Sequence, residues 1–342
     1  MSARPVAVLT HRVFDATLAA LEPHCDVIAN QTGETLPREE IFRRVANAEA
    51  LMAFMPDLID RALLDTAPNL RIVAGALKGY DNFDIEACTQ RGIWATIVPD
   101  LLTVPTAELA IGLAIGLARH IAAGDSHVRG RYFVGWRPAL YGTGLSGSTV
   151  GIIGMGRIGK ALAQRLGGFD AHLLYNETSP LPADEEEALK INYTSRDALL
   201  RDSDFIFLAV PLTDETRHLI DDRSLAAMKP SAFLINPCRG SVVDENAVAR
   251  ALVANSLGGY AADVFEFEDW ALPDRPLEVP TQLRTIENRT LFTPHLGSAV
   301  TSVRQAIELS AAADILAAFR GETPPGCINT PDGLERQTES IR

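Results

Sequence analysis

Cysteine is scarce in this 342-residue chain: Cys25, Cys88, Cys238 and Cys327 stand far apart, with no pair at the CxxC spacing of a zinc module and no disulfide framework. Reduced thiols in a cytoplasmic protein are expected, and no metal site. Long apolar runs are missing too. The longest, residues 109–118, is about half of the ~20 residues a bilayer-spanning helix needs. The opening MSARPVAVLTHRVFD meets a charged residue before it can build a signal-peptide core. Cations are outnumbered, 31 Lys and Arg against 44 Asp and Glu, for a net charge of −13. Nucleic acid and anionic membrane surfaces reward clusters of Lys and Arg, so neither is expected as the main partner. A small anion stays open, because a few local cations outweigh distant surface charge that salt screens over about 8–10 Å.

What is present points to a packed α/β protein. With 47% hydrophobic and 22% charged residues the chain lies far from the disordered regime, and its length predicts about two domains. Short apolar runs alternate with helical patterns from end to end, the mark of βαβ units and a mostly parallel sheet. Strands are predicted at residues 5–9, 50–54, 70–74 and 93–97, with helices at 15–21, 37–46 and 59–67 between them. A second series of strands follows at 149–153, 172–175, 205–209, 232–235, 260–264 and 291–292. Two series predict two doubly wound lobes. After Pro99 and Pro105, residues 106–123 read as a long buried helix, whose early Glu108 suits a positive N-terminus. A last helix at 300–319 is expected to pack back on the first lobe. Residues 1–100 with 299–342 then form one discontinuous domain and 101–298 the other. The segment after Gly321, rich in Pro, Thr and charge, is expected to be loosely ordered or a surface arm.

The second lobe opens with Gly154-Met155-Gly156-Arg157-Ile158-Gly159, a GxGxxG motif between an apolar strand and a helical run. Gly154 permits a tight turn, Gly156 lets the backbone approach a pyrophosphate and Gly159 allows close helix–strand contact, while the helix N-terminus attracts phosphate. Eighteen residues past Gly159, Glu177 stands where the ribose-binding acid of a dinucleotide site belongs. Its carboxylate repels a 2′-phosphate, and the next residue, Thr178, supplies no offsetting cation. NAD is therefore expected over NADP, in a Rossmann-like domain.

Three later segments each deliver an unusual polar residue at or past the end of a strand: Asn236-Pro237-Cys238-Arg239-Gly240, Asp263-Val264-Phe265-Glu266-Phe267-Glu268 and Thr293-Pro294-His295-Leu296-Gly297-Ser298. An Arg holds an anion by a bidentate fork, a His moves a proton, and a carboxylate orients the imidazole. Spacing alone leaves Glu266 and Glu268 open. The ordered set GxGxxG, NPCRGSVVDE, GYAADVFEFEDW and FTPHLGS resembles the D-isomer-specific 2-hydroxyacid dehydrogenase family, over residues 6 to 320. The resemblance implies Arg239, Glu268 and His295 as catalytic residues. It implies cofactor contacts at Thr106, Pro211, Cys238, Asp263 and Gly297 in addition to the glycine loop. It also implies a flavodoxin-like substrate domain facing the NAD-binding domain across a cleft, and a homodimer.

One departure bears on the substrate. Where the family otherwise carries a neutral Val-Gly-x-Asp-Asn turn after the third strand, this chain reads Ala76-Leu77-Lys78-Gly79-Tyr80-Asp81-Asn82. A second cation beside Arg239 suits a substrate with more charge than one carboxylate. The turn, with MAFMPD and the Trp136 to Tyr141 segment, is similar to the phosphite-oxidising members of the family. That likeness implies phosphite as substrate, with Lys78, Gly79 and Arg239 binding it. Arg304 would add positive potential, Met55 an apolar wall, Trp136 and Tyr141 closure of the cleft, and Ser298 a hydrogen bond near the base or a helix cap. Two alternatives share the motifs. One is a 2-hydroxyacid dehydrogenase of the glyoxylate, hydroxypyruvate or phosphoglycerate type; the other is an NADH-sensing corepressor with no turnover.

Overall fold

The computed structural model describes residues 4–98 and 100–332. They form two compact units: one runs up to Leu102 and resumes at Val300, and the other is Thr103–Ala299. Pro99 and residues 333–342 of the tail lie outside the described residues.

The first unit holds β1 (Val6–Leu9), β2 (Asp26–Ala29), β3 (Ala50–Ala53), β4 (Ile72–Gly75) and β5 (Trp94–Thr96), all parallel in the order β2-β1-β3-β4-β5. Both faces of β3 and β4 are buried, which is why they read as unbroken apolar runs. β2 escaped the sequence reading because it is a half-exposed edge strand beginning at Asp26. The helix Thr301–Phe319 lies on one face of this sheet and packs Ile307, Ala311 and Ile315 against Ala7, Leu9 and Met52. Its Glu308, buried, accepts the Phe14 N–H at 2.9 Å and the Thr17 hydroxyl at 3.0 Å. The tail corrects its expectation as far as Asp332. The Ile97 N–H donates to the Gly326 carbonyl at 3.0 Å and the Ile328 N–H to Ala95 at 2.9 Å, so the segment adds to the edge of β5 as an antiparallel bridge. Asn329 holds it there, accepting from the Ala95 N–H at 2.8 Å.

The second unit holds β6 (Thr149–Ile153), β7 (His172–Asn176), β8 (Ile191–Tyr193), β9 (Phe205–Leu208), β10 (Phe233–Asn236), β11 (Gly259–Ala262) and β12 (Thr290–Phe292). Their order, β12-β11-β10-β9-β6-β7-β8, reverses direction between β9 and β6. In such sheets ligands gather beyond the carboxyl ends of the strands at the reversal. One face of the sheet packs Tyr175, Phe205, Phe207 and Phe233, and the other Ile206, Leu208, Leu234 and Tyr260. The predicted helix at 106–123 is two helices, Thr103–Ala118 and Ile121–Arg129, bent by 63° where His120 turns left-handed at φ 54°. Its start three residues earlier takes Glu108 out of the first turn; the carboxylate faces Arg165 at 3.7 Å instead. Small residues on the first of these helices permit close packing, and a Cβ at Gly116 would stand 2.7 Å from Leu291. Among the described residues no single helix is long and apolar enough to cross a membrane.

Candidate active site

The strand β6 runs straight into the glycine turn. Gly154 has φ +94°, and a Cβ there would stand 2.5 Å from the Ala209 carbonyl oxygen, so only glycine fits. A Cβ on Gly159 would collide with the Gly154 carbonyl, whereas Gly156, at the N-terminus of the ten-residue helix Arg157–Leu166, faces open space. Crowding at two glycines and clearance at the one between them is what a pyrophosphate on a helix N-terminus requires. Glu177, just past β7, accepts the Met155 N–H at 2.8 Å and the Thr178 N–H at 2.8 Å. Partial burial pushes its carboxyl up, but these donors outweigh it and hold it below the usual carboxylate value. An anion on the glycine turn, with no cation bonded to it among the described residues, fits two ribose hydroxyls better than a 2′-phosphate. Glu177→Ala should therefore raise the kcat/KM ratio of NADP to NAD by about tenfold, the loss of one favourable and one repulsive contact; an unchanged ratio would remove Glu177 from cofactor choice.

The strands β10, β11 and β12 are adjacent and parallel, so the segments beyond them share one edge of the sheet. His295 stands three residues past β12 in the left-handed region, φ 56°, with Nδ1 2.8 Å from Oε2 of Glu268. A carboxylate only accepts, so Nδ1 carries the proton and Nε2 is left for chemistry. The other oxygen of Glu268 accepts the Phe265 N–H at 3.0 Å, which fixes the carboxylate on its 3-10 turn Glu266–Glu268. Glu266 points elsewhere, to His218 at 2.9 Å, so of the two acids Glu268 is the one bonded to His295. Arg239 leaves β10 on a turn held by Asn236, whose side chain donates to the Arg239 carbonyl at 2.9 Å and accepts the Cys238 N–H at 3.1 Å. A Cβ on Gly240 would collide with the backbone of Phe265 and Glu266, so the arginine turn rests directly on the acid turn. At Cys238 beside it, burial pushes the thiol up to about 11, and its Sγ donates to Asn236 at 3.0 Å.

Asp263 organises the histidine loop. It is 1% exposed and accepts the Thr293 hydroxyl at 2.6 Å and the Leu296 and Gly297 N–H groups at 2.7 Å each. Its own carbonyl takes the His295 N–H at 2.8 Å, so the left-handed backbone of His295 is bonded on both sides. Burial holds the Asp263 carboxyl above its ordinary value even though these donors and His295 favour the anion. Thr106 and Asp263 flank Gly297, where a Cβ would stand 3.1 Å and 3.2 Å from their oxygens. Pro211, exposed after β9, anchors its loop by accepting the Thr216 hydroxyl at 2.6 Å. Ser298 is buried, and the N-cap position of the helix that follows is Val300. Trp136 and Tyr141 are 82% and 75% exposed.

The remaining candidates belong to the first unit. Lys78 and Gly79 follow β4 in a half-buried bend. Met55 follows β3 on a turn fixed by Asp57, which is buried and accepts the Phe54 N–H at 2.7 Å and the Thr10 hydroxyl at 2.5 Å. Sequence reasoning passed over Asp57 and Asn236, although an Asp or Asn beside a proline after a strand is a recognisable turn signal. Arg304 is not a surface cation: its guanidinium lies 5.9 Å from the Phe54 ring centroid, and burial lowers its pKa against the pull of Glu308, while it remains charged.

Residues 111–297 match the D-isomer specific 2-hydroxyacid dehydrogenase, NAD binding domain. The chain is 39% identical over 331 residues to the glyoxylate reductase of Pyrococcus horikoshii, covering 95% of this chain and 96% of that one. It is 37% identical to the glyoxylate reductase of Thermofilum pendens, over 99% of each. Among solved structures it resembles the TT0316 protein of Thermus thermophilus, with a TM-score of 0.86 and 33% identity over 95% of this chain and all of that one. It also resembles an NADPH-dependent glyoxylate/hydroxypyruvate reductase of Sinorhizobium meliloti, with a TM-score of 0.80 and 27% identity over 96% and 98%. With the glycine turn, Glu177 and the His295–Glu268 pair in place, the chain belongs to the D-isomer specific 2-hydroxyacid dehydrogenase family and is an NAD-dependent oxidoreductase.

Proposed function

We propose that this enzyme oxidises phosphite to phosphate in the cytoplasm, with water as nucleophile and NAD as hydride acceptor. The observation that carries the reading is Lys78, a cation in a half-buried bend at the carboxyl end of β4. A monoanionic 2-oxo acid needs one cation for its carboxylate, whereas a water oxygen attacking a doubly charged anion meets repulsion that two fixed cations relieve. Arg239 and Lys78 bind the phosphite oxygens in this reading. His295 takes the proton of the attacking water on Nε2, and Glu268 stabilises the imidazolium that results. The bound NAD supplies the acceptor for the hydride leaving phosphorus.

Reduction of glyoxylate is the second reading, and the names of the relatives favour it. None of the relatives named above is described as acting on phosphite. In that reading Arg239 holds the carboxylate and His295 delivers a proton to the carbonyl oxygen. Absorbance of NADH separates the two: phosphite with NAD should give NADH at a kcat/KM well above that for any 2-hydroxy acid. Turnover of glyoxylate or D-lactate with none of phosphite would overturn the proposal, and turnover of nothing would favour a sensor.

The proposed dimer rests on the segment 121–141, where Tyr132, Val134, Trp136 and Tyr141 are each more than 70% exposed. In this reading the bare apolar side chains of this stretch serve as the contact surface. Light scattering should give about twice the 36.9 kDa of the chain; a monomer at micromolar concentration would contradict it.

A further inference from the structure

Behind the catalytic turn lies a second pair of acids. Glu245 opens the helix Glu245–Val253 and Glu266 opens the turn that ends at Glu268. The Glu245 N–H donates to Oε1 of Glu266 at 3.0 Å, and the Glu266 N–H donates to Oε1 of Glu245 at 2.9 Å. Each side chain thus satisfies the other's backbone across 21 residues of chain, and the two are 1% and 7% exposed. Oε2 of Glu266 meets Nε2 of the half-exposed His218 at 2.9 Å. Oε2 of Glu245 is buried with no hydrogen-bond partner among the described residues. The turn's remaining acid, Asp269, accepts the Ser241 N–H at 2.7 Å, which ties the segment after Arg239 to the same point.

We propose that Glu245 is a positioning residue, interlocked with Glu266 so that the turn keeps Glu268 aimed at His295, with His218 holding the outer side of Glu266. The proposal rests on the His295–Glu268 pair and is indifferent to which anion is the substrate. Crowding dictates the charge state of the interlock. Burial pushes the Glu245 carboxyl up to about 8; the Glu266 N–H opposes this, and Glu266, Asp269 and Glu268 push it further up. Other groups facing the cluster are Tyr260, which burial and Glu245 hold protonated, and Arg217, which feels Glu266. At neutral pH Glu245 is therefore held as the neutral acid.

Glu245→Gln keeps the Oε1 acceptor and the neutral charge. Its kcat should stay within about twofold of wild type at pH 7, whereas Glu245→Ala, which leaves the Glu266 N–H without its acceptor, should lose roughly 10- to 100-fold in kcat with KM for NAD unchanged. A readout apart from turnover is the melting temperature against pH. A carboxyl raised from 4.5 to about 8 on folding contributes stability that is present below pH 4.5 and lost as pH rises through about 8. Wild type should therefore fall relative to Glu245→Gln across that window and run parallel to it above. A flat difference, a Gln variant as impaired as the Ala variant, or an Ala variant with wild-type kcat would each overturn the proposal. Should Glu245→Ala fail to fold, His218→Ala, at a half-exposed site, should lower kcat several-fold without lowering the melting temperature; unchanged kcat there would contradict the assignment of His218.

Discussion

His295→Asn should lower kcat by about 10²–10⁴-fold, the range that a positioned proton-transfer group contributes, and leave the dissociation constant of NAD unchanged. Asparagine is polar and short enough for the loop, and the bonds that fix the backbone come from Asp263 and not from the imidazole. The loop therefore keeps its shape while the base is gone. Tight NAD binding with lost turnover locates the defect in chemistry. If instead kcat were within threefold of wild type, another group takes the proton. Glu268→Gln should be the milder companion, since the amide still reaches Nδ1 of His295 yet no longer stabilises the imidazolium.

Lys78→Ala should reduce kcat/KM for phosphite by roughly 10- to 100-fold, the cost of one charge-assisted hydrogen bond of about 1.5–3 kcal/mol, with NAD affinity retained. The test separates the two substrate readings, because a carboxylate held by Arg239 alone loses little when Lys78 is removed. Equal losses toward phosphite and glyoxylate would reduce Lys78 to a general source of positive potential. No loss toward either would return it to the surface.

Much of the fold was legible because the physics was local. The strand at 149–153 and the helix at 15–21 stand where the apolar pattern placed them, since burial on both faces, or on one stripe, leaves an unmistakable period. Edge strands did not announce themselves. β2 and β8 each pair on one side only and carry exposed residues, so their patterns are weak. The break at His120 was hidden as well, because the residues around it are helix formers and no glycine or proline marks the left-handed turn. At the site, the glycines and Glu177 were readable from spacing, because a pyrophosphate imposes clearance at fixed intervals. The choice between Glu266 and Glu268 was not. Two residues apart on a 3-10 turn, they point to different histidines, and only the turn geometry separates the carboxylate that faces His295 from the one that faces His218. The interlock with Glu245 spans 21 residues and has no periodic trace at all.

An acidic chain is compatible with the small anionic substrate proposed above. Much of the acidic excess lies on exposed carboxylates, several of them paired, such as Glu40 with Arg43 and Arg44. Such charges are screened over about 8–10 Å.

The most direct test uses phosphite with deuterium on phosphorus. Incubated with NAD and the enzyme, it should yield phosphate by phosphorus NMR together with NADH carrying the deuterium on its nicotinamide ring, in equal amounts. Failure to form phosphate while glyoxylate and NADH are converted to glycolate would contradict the account and establish the chain as a 2-oxo acid reductase.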